Sequence, residues 1–199
     1  MTRRRSNGTA HGNPHLQAQV AHAAARLMAE DGITDYGHAK RKALRTLGLS
    51  DSHPLPPNSE VEAALKSYLA LYQADEQPLR LRELREEALR LMQFFAPYRP
   101  YLIGSVLDGT AGRNSNIDIQ LFADSAKDVE IFLLDHGIGY AHGQPRHDRA
   151  EAVFVIETDA GGANLIVYPL AEERVVYRNR EGRVRERARA QTVELLLAA

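Results

Sequence analysis

Between Leu102 and Phe122 the order of residues leaves few choices of fold. A short apolar run ends on Gly104-Ser105, a polar, glycine-bearing loop follows from Asp108 to Asn114, and a second run, Ile117 to Phe122, carries Asp118 among apolar neighbours. Short runs of this kind, bounded by turn residues, read as strands. A glycine at the end of the first lets the backbone bend sharply and leaves N–H groups to face an anion. A carboxylate on the second can hold a divalent cation against the same anion. Strand, Gly-Ser, loop and strand with an acid is a layout that suits phosphate and metal. Gly104 to Gly109 also imitates the start of a P-loop, but Thr110 stands where its lysine belongs, which argues against a Walker-type ATPase.

The stretch resembles the nucleotidyltransferase superfamily, the DNA polymerase β-like or minimal nucleotidyltransferase fold. The family pattern is Gly-Ser, a spacer, then Ser-Asp-hydrophobic-Asp-hydrophobic. Here Gly104-Ser105 is followed at the family's spacing by Ser115-Asn116-Ile117-Asp118-Ile119, with Asn116 in the place of the first carboxylate. The third family carboxylate opens a later strand, and its best match is Asn164, at the head of Asn164–Tyr168. The resemblance implies that Gly104 and Ser105, with Ser115 and Arg113, hold the triphosphate of a nucleotide. It implies that Asp118 holds Mg²⁺ and that Asn116 and Asn164 occupy the remaining catalytic positions. The implied reaction moves a nucleoside monophosphate from an NTP to a hydroxyl acceptor.

Chemistry qualifies that implication. Nucleotidyl transfer relies on Mg²⁺ ions that bridge the phosphates and stabilise the attacking and leaving oxygens. Two hard cations close together need several anionic oxygens. Residues two apart on a strand share a face, so Asn116 and Asp118 face the same way, but Asp118 alone is charged. With Asn at 164 as well, the site has one negative charge instead of three, and two-metal binding is weakened. Glu157, Asp159 and Asp108 are the acids that can substitute. Glu157 also reads as a solvent-side residue at a strand end, and Asp159 as the start of a turn. A catalytically degenerate module of the same fold, binding nucleotide or protein, is the rival reading.

The first half of the chain reads as helical and carries no such chemistry. Leu16, Val20, Ala24, Leu27 and Met28 recur at steps of three and four, predicting a helix over 15–31. A second begins at the cap Asp35, with Lys40, Arg41, Lys42 and Arg45 on a basic outer face. Residues 49–57 are a proline-rich connection. A third helix starts near Asn58-Ser59, with Ser59 and Glu62 spaced as a capping box. A fourth opens at Pro78 with the stripe Leu81, Leu84, Ala88, Leu91 and Phe95, leaves Arg80, Arg82, Arg85, Glu86 and Glu87 outward, and closes at Pro97. From Tyr98 the order is strand, turn, strand, helix and three strands, followed by an arginine-rich segment and a final helix over 191–197. The fold class expected is α+β: a basic tail over 1–12, a helical domain over 13–97 and a nucleotidyltransferase-like mixed-sheet domain over 98–199.

Composition sets outer limits. With 25 basic and 26 acidic residues, net charge −1, no global charge argues for nucleic acid or membrane. The absence of cysteine excludes disulfides and thiolate metal sites. The tail Met1–Gly8 is basic without an apolar run behind it, and no window suits a membrane span, so a cytoplasmic protein is expected. His11, His15 and His22 suggest a metal by their number, but their uneven spacing in and beside a loose tail argues against a site. His38, His53, His136, His142 and His147 lack a paired ligand at the i,i+4 spacing of a zinc helix, and His136 reads as a residue at a helix C-terminus. No Gly-x-Ser-x-Gly begins a hydrolase triad. Arg113, Arg146 and Arg149 are loop residues with two readings, contact with phosphates near the site or an ordinary solubilising role, and for each alone the second is the simpler. Arg174, Arg178, Arg180, Arg183, Arg185, Arg187 and Arg189 form a series on a hairpin turning at Glu181-Gly182, alternating so that several share one side. They offer a surface for RNA or a protein partner, or a salt-bridged face shared with the interspersed glutamates.

Overall fold

The computed structural model describes residues 14–145, 149–178, 182 and 184–198. The basic tail over 1–12, Arg146, His147, Arg180, Glu181 and Arg183 lie outside these. The architecture is α+β, and the chain divides into two compact units, Met1–Tyr68 and Leu69–Ala199.

The first unit holds α1 (Pro14–Asp31), α2 (Tyr36–Thr46) and most of α3 (Asn58–Tyr72). Asp35 caps α2, its carboxylate accepting from the His38 N–H at 2.6 Å. Val20, Ala21 and Ala24 of α1 close on Ala39, Ala43 and Leu44 of α2 and Val61 of α3. The small alanines permit close helix approach. Two local expectations give way here. Lys40 is buried, not on a basic outer face, because its ammonium donates to Pro56 O at 2.8 Å and Asn58 Oδ1 at 2.6 Å. Ser59 does not cap α3: the helix already includes Asn58, and Glu62 accepts from Lys66 instead, at 2.8 Å.

The second unit is a five-stranded mixed sheet with helices on one face. The strands are β1 (Tyr101–Ile103), β2 (Ile117–Ala123), β3 (Tyr140–Gly143), β4 (Ala152–Thr158) and β5 (Gly161–Pro169), arranged β1-β2-β5-β4-β3. Among the described residues β2 and β5 pair parallel and the other neighbouring strands antiparallel. A short helix, α5 (Ser105–Asp108), occupies the Gly-Ser turn, and α6 (Ala126–Asp135) follows β2. The Ser125 hydroxyl caps α6 by accepting from the Lys127 N–H, and His136 ends it with its ring Nδ1 on Phe132 O at 2.8 Å. Alternation separates the faces. Leu102, Ile117, Ile119, Leu121, Phe154, Ala163, Leu165 and Val167 point to one side, where they are buried against α4 (Glu76–Phe94), α6 and α7 (Ala190–Ala198). Each large side chain removed from water there contributes about 1.5–3 kcal/mol.

The domain boundary expected at 97 is displaced. Leu84, Ala88, Met92 and Phe95 belong to the core beneath the sheet, so α4 is part of the second unit. Glu87, expected outward, is buried with them and is paired with Arg90. The β4–β5 turn is tight. Thr158 pairs with Gly161, so the turn is Asp159-Ala160, and both glycines belong to β5. Among the described residues no helix is long and apolar enough to cross a membrane.

Candidate functional site

The other face of the sheet carries polar residues at the Gly104 end and a second apolar cluster, Tyr101, Phe122, Ala150 and Tyr168, beyond them. Register alone places the polar residues. Asp118 of β2 pairs with Asn164 of β5 and with Ile103 of β1. Cross-strand partners share a face. Asn116, two residues before Asp118, shares that face, and so does Glu157, which pairs with Gly162 two residues before Asn164. The side that faces away from the helices therefore gathers Asn116, Asp118, Asn164 and Glu157.

Contacts tighten part of this set. Asn164 Nδ2 donates to Asp118 Oδ1 at 2.7 Å. An ionised carboxylate has no proton to offer, so the amide must present its N–H rather than its oxygen. Asp118 Oδ2 lies against Gly104: a Cβ built on that glycine would stand 3.0 Å from it. Gly104 has φ 73° and ψ −157°, a conformation open essentially to glycine alone. Thus the end of β1 turns under the Asp118 carboxylate at the one residue whose backbone and missing side chain both allow it. Asn116 leans over Gly162 in the same manner, its Oδ1 3.0 Å from where a Cβ would sit. Asn116 and Glu157 are exposed at the rim.

The loop after Gly104 is held from within and from α4. Ser105 O accepts from the Thr110 N–H at 2.9 Å and the Ala111 N–H at 3.0 Å, while the Ser105 hydroxyl has no hydrogen bond among the described residues. Gln77 Nε2 donates to Gly109 O and Ala111 O, at 3.2 and 3.0 Å. Arg85 Nε donates to Val106 O at 3.1 Å and its NH2 to Leu107 O at 3.3 Å. Burial pulls the Arg85 guanidinium below its ordinary value. Arg80 reaches the other loop, donating to Ala160 O at 2.6 Å. Arg80 and Arg85 thus point at the two loops flanking Asp118. An amphipathic stripe shows which residues are apolar but not which arginines sit at its margin beside backbone carbonyls, and this role was not readable from spacing.

Other expected contacts fall elsewhere. Ser115 Oγ accepts from the Gly112 N–H at 3.0 Å, closing a turn within the loop. Arg113 pairs with Glu76 at 2.9 Å, both side chains largely in solvent. Asp108 is exposed at the end of α5, and Asp159 is exposed in the β4–β5 turn. Arg149 lies over the Tyr177 ring and faces Glu172 at 3.7 Å.

The donor set can be weighed for a metal. Among the described residues no group of three His, Cys, Asp or Glu side chains is placed to hold an ion. Asp118 already receives an amide N–H on one oxygen, and its cross-strand partner brings no charge. The residues present do not fit a two-Mg²⁺ centre.

No family model, curated protein or solved structure matches the chain.

Proposed function

We propose that the second unit is a nucleotidyltransferase-type domain that binds a nucleotide without the two-metal transfer chemistry of that superfamily. The observation that carries the reading is the Asn164 N–H on Asp118 Oδ1. Three carboxylates in this position would repel one another and need cations to coexist. One carboxylate with an amide partner is satisfied by the protein alone. A nucleotide whose phosphates already carry Mg²⁺ needs no more than one protein carboxylate to anchor the ion, and Asp118 is the residue proposed for it. Gly104 and Ser105, whose hydroxyl is uncommitted, are proposed for the phosphates.

Calorimetric titration of ATP, CTP, GTP and UTP, with and without Mg²⁺, tests this on the wild type and Asp118→Ala. The expected result is Mg²⁺-dependent binding of at least one nucleotide, lost in Asp118→Ala, with no pyrophosphate released. Failure of all four nucleotides to bind overturns the reading. Release of pyrophosphate would favour an active transferase instead. Glu157 gives that second reading its one support, since it supplies a further carboxylate on the same face.

A further inference from the structure

At the opposite end of the same face of the sheet, above the buried cluster of Tyr101, Phe122 and Tyr168, the chain builds a second polar site. The strand segment leading to α7 joins the sheet through a bridge between Ala188 and Leu102. Ala188 points into the core, so its neighbours Arg187 and Arg189 point to the other face, over the Tyr101 ring at 4.6 and 4.9 Å. Glu173 lies beneath them. Its carboxylate accepts from Arg99 NH1 at 2.7 Å, Tyr101 OH at 3.1 Å and Arg189 NH2 at 3.2 Å. Arg187 donates to the Glu173 carbonyl. Arg99, Tyr101, Glu173, Arg174 and Arg189 line a groove of about 460 Å³.

We propose that this groove binds a phosphate group, at a site separate from Asp118. Three guanidiniums and one carboxylate line the groove, so it keeps a positive charge that excludes cations and draws anions. Glu173 takes one N–H from each of Arg99 and Arg189, and their remaining donors stay largely in solvent, with side chains 52% and 67% exposed. Each guanidinium has five N–H groups in a fork that fits a phosphate. Arg174 is exposed on the same rim and has no partner among the described residues. A merely salt-bridged surface would not need this third cation. Arg99 adds a second sign of use: it holds φ 48°, a left-handed conformation that glycine takes without strain. The charge it carries is what a glycine there would lose. The ligand is recognised through phosphate and not through a base, because Arg187 and Arg189 already stack on Tyr101.

Free polyphosphate and an RNA backbone both present this chemistry. The test uses the full chain in Mg²⁺-free buffer, which leaves the Mg²⁺-dependent site at Asp118 empty, with tripolyphosphate, followed by calorimetry, and with a labelled short oligouridylate, followed by anisotropy. Arg174→Ala, Arg99→Gly and Asp118→Ala are compared with wild type. Saturable tripolyphosphate binding is expected to weaken about tenfold in Arg174→Ala, the order of one charge-assisted hydrogen bond, to weaken also in Arg99→Gly, and to be unchanged in Asp118→Ala. Oligouridylate binding with the same sensitivities and a steep salt dependence identifies a nucleic-acid backbone as the source. Tripolyphosphate binding alone identifies a small phosphate. The proposal is overturned if neither probe saturates, if Arg174→Ala binds as wild type does, or if Asp118→Ala abolishes binding. Arg174 is exposed and its side chain makes no hydrogen bond or ion pair among the described residues, so its variant should melt with the wild type and keeps the test valid even if Arg99→Gly disturbs the fold.

Discussion

Asn164 and Asp118 are paired residues of the parallel strands β5 and β2, and the amide of one is hydrogen-bonded to the carboxylate of the other at 2.7 Å. The arrangement is self-sufficient. Asn164→Asp should end that: a second carboxylate would replace a donor with a like charge at the same distance. At neutral pH the variant should be destabilised by about 1–3 kcal/mol, the usual cost of leaving such a group without its partner. Added Mn²⁺ or Mg²⁺ should restore part of the loss by bridging the two acids, and should leave the wild type almost unmoved. Thermal unfolding with and without the ions measures both effects. Equal metal response in the two proteins would refute the argument.

Gly104 is fixed by two independent demands, its φ of 73° and the approach of Asp118 Oδ2. Gly104→Ala should therefore cost more than backbone strain alone, which is about 1–3 kcal/mol. The double variant Gly104→Ala/Asp118→Ala removes the contact and keeps the strain. Urea unfolding of the two single variants and the double variant should show a coupling between the positions. Additive costs would mean that Asp118 moves aside without penalty.

How much of this was legible depended on whether the information was local. Period-two alternation around Ile117 and Ile119 marks β2 and places Asn116 and Asp118 on one face. The neighbours of Gly104 mark its turn. The pairing of Asp118 with Asn164 is a property of parallel strands 46 residues apart. The resemblance proposed that meeting, but nothing in the spacing of the residues specifies it. The stripe Leu81, Leu84, Ala88, Leu91 and Phe95 announces a buried face without naming what buries it, and so α4 could be assigned to the wrong unit. Lys40 shows the same limit: a lysine in a basic run gives no sign that a carbonyl across the connection will receive it. The alternation of Arg187 and Arg189 about Ala188 was readable. Their convergence on Tyr101 and Glu173 was not.

Arg85 ties α4 to the carbonyls at the end of α5. Arg85→Ala should cost about 1–3 kcal/mol, since it removes charged donors from partly buried acceptors. The loss should be concentrated in the loop. Amide hydrogen exchange at Thr110 and Ala111, whose N–H groups bond to Ser105 O, should accelerate more than exchange in β4 and β5. Uniform acceleration across the sheet would show that Arg85 stabilises the unit as a whole and does not fix the loop.

Glu173 gives the expected pH dependence its sign. The Arg99 hydrogen bond, with help from Tyr101 and from the charges of Arg99 and Arg189, holds its carboxyl below the ordinary carboxylate range, against the opposing effect of burial. The folded protein therefore binds this proton more weakly than the unfolded chain does. Stability from the interaction is fully present above the unfolded carboxylate value, about 4.3. It is lost as pH falls through the lower folded value. Glu173→Gln should melt below the wild type at neutral pH, and the gap should narrow as acid protonates Glu173 in the wild type. Melting curves of both proteins from neutral pH down to the acid limit of the fold make the comparison. A gap independent of pH would mean that the side chain acts through packing and not through its charge.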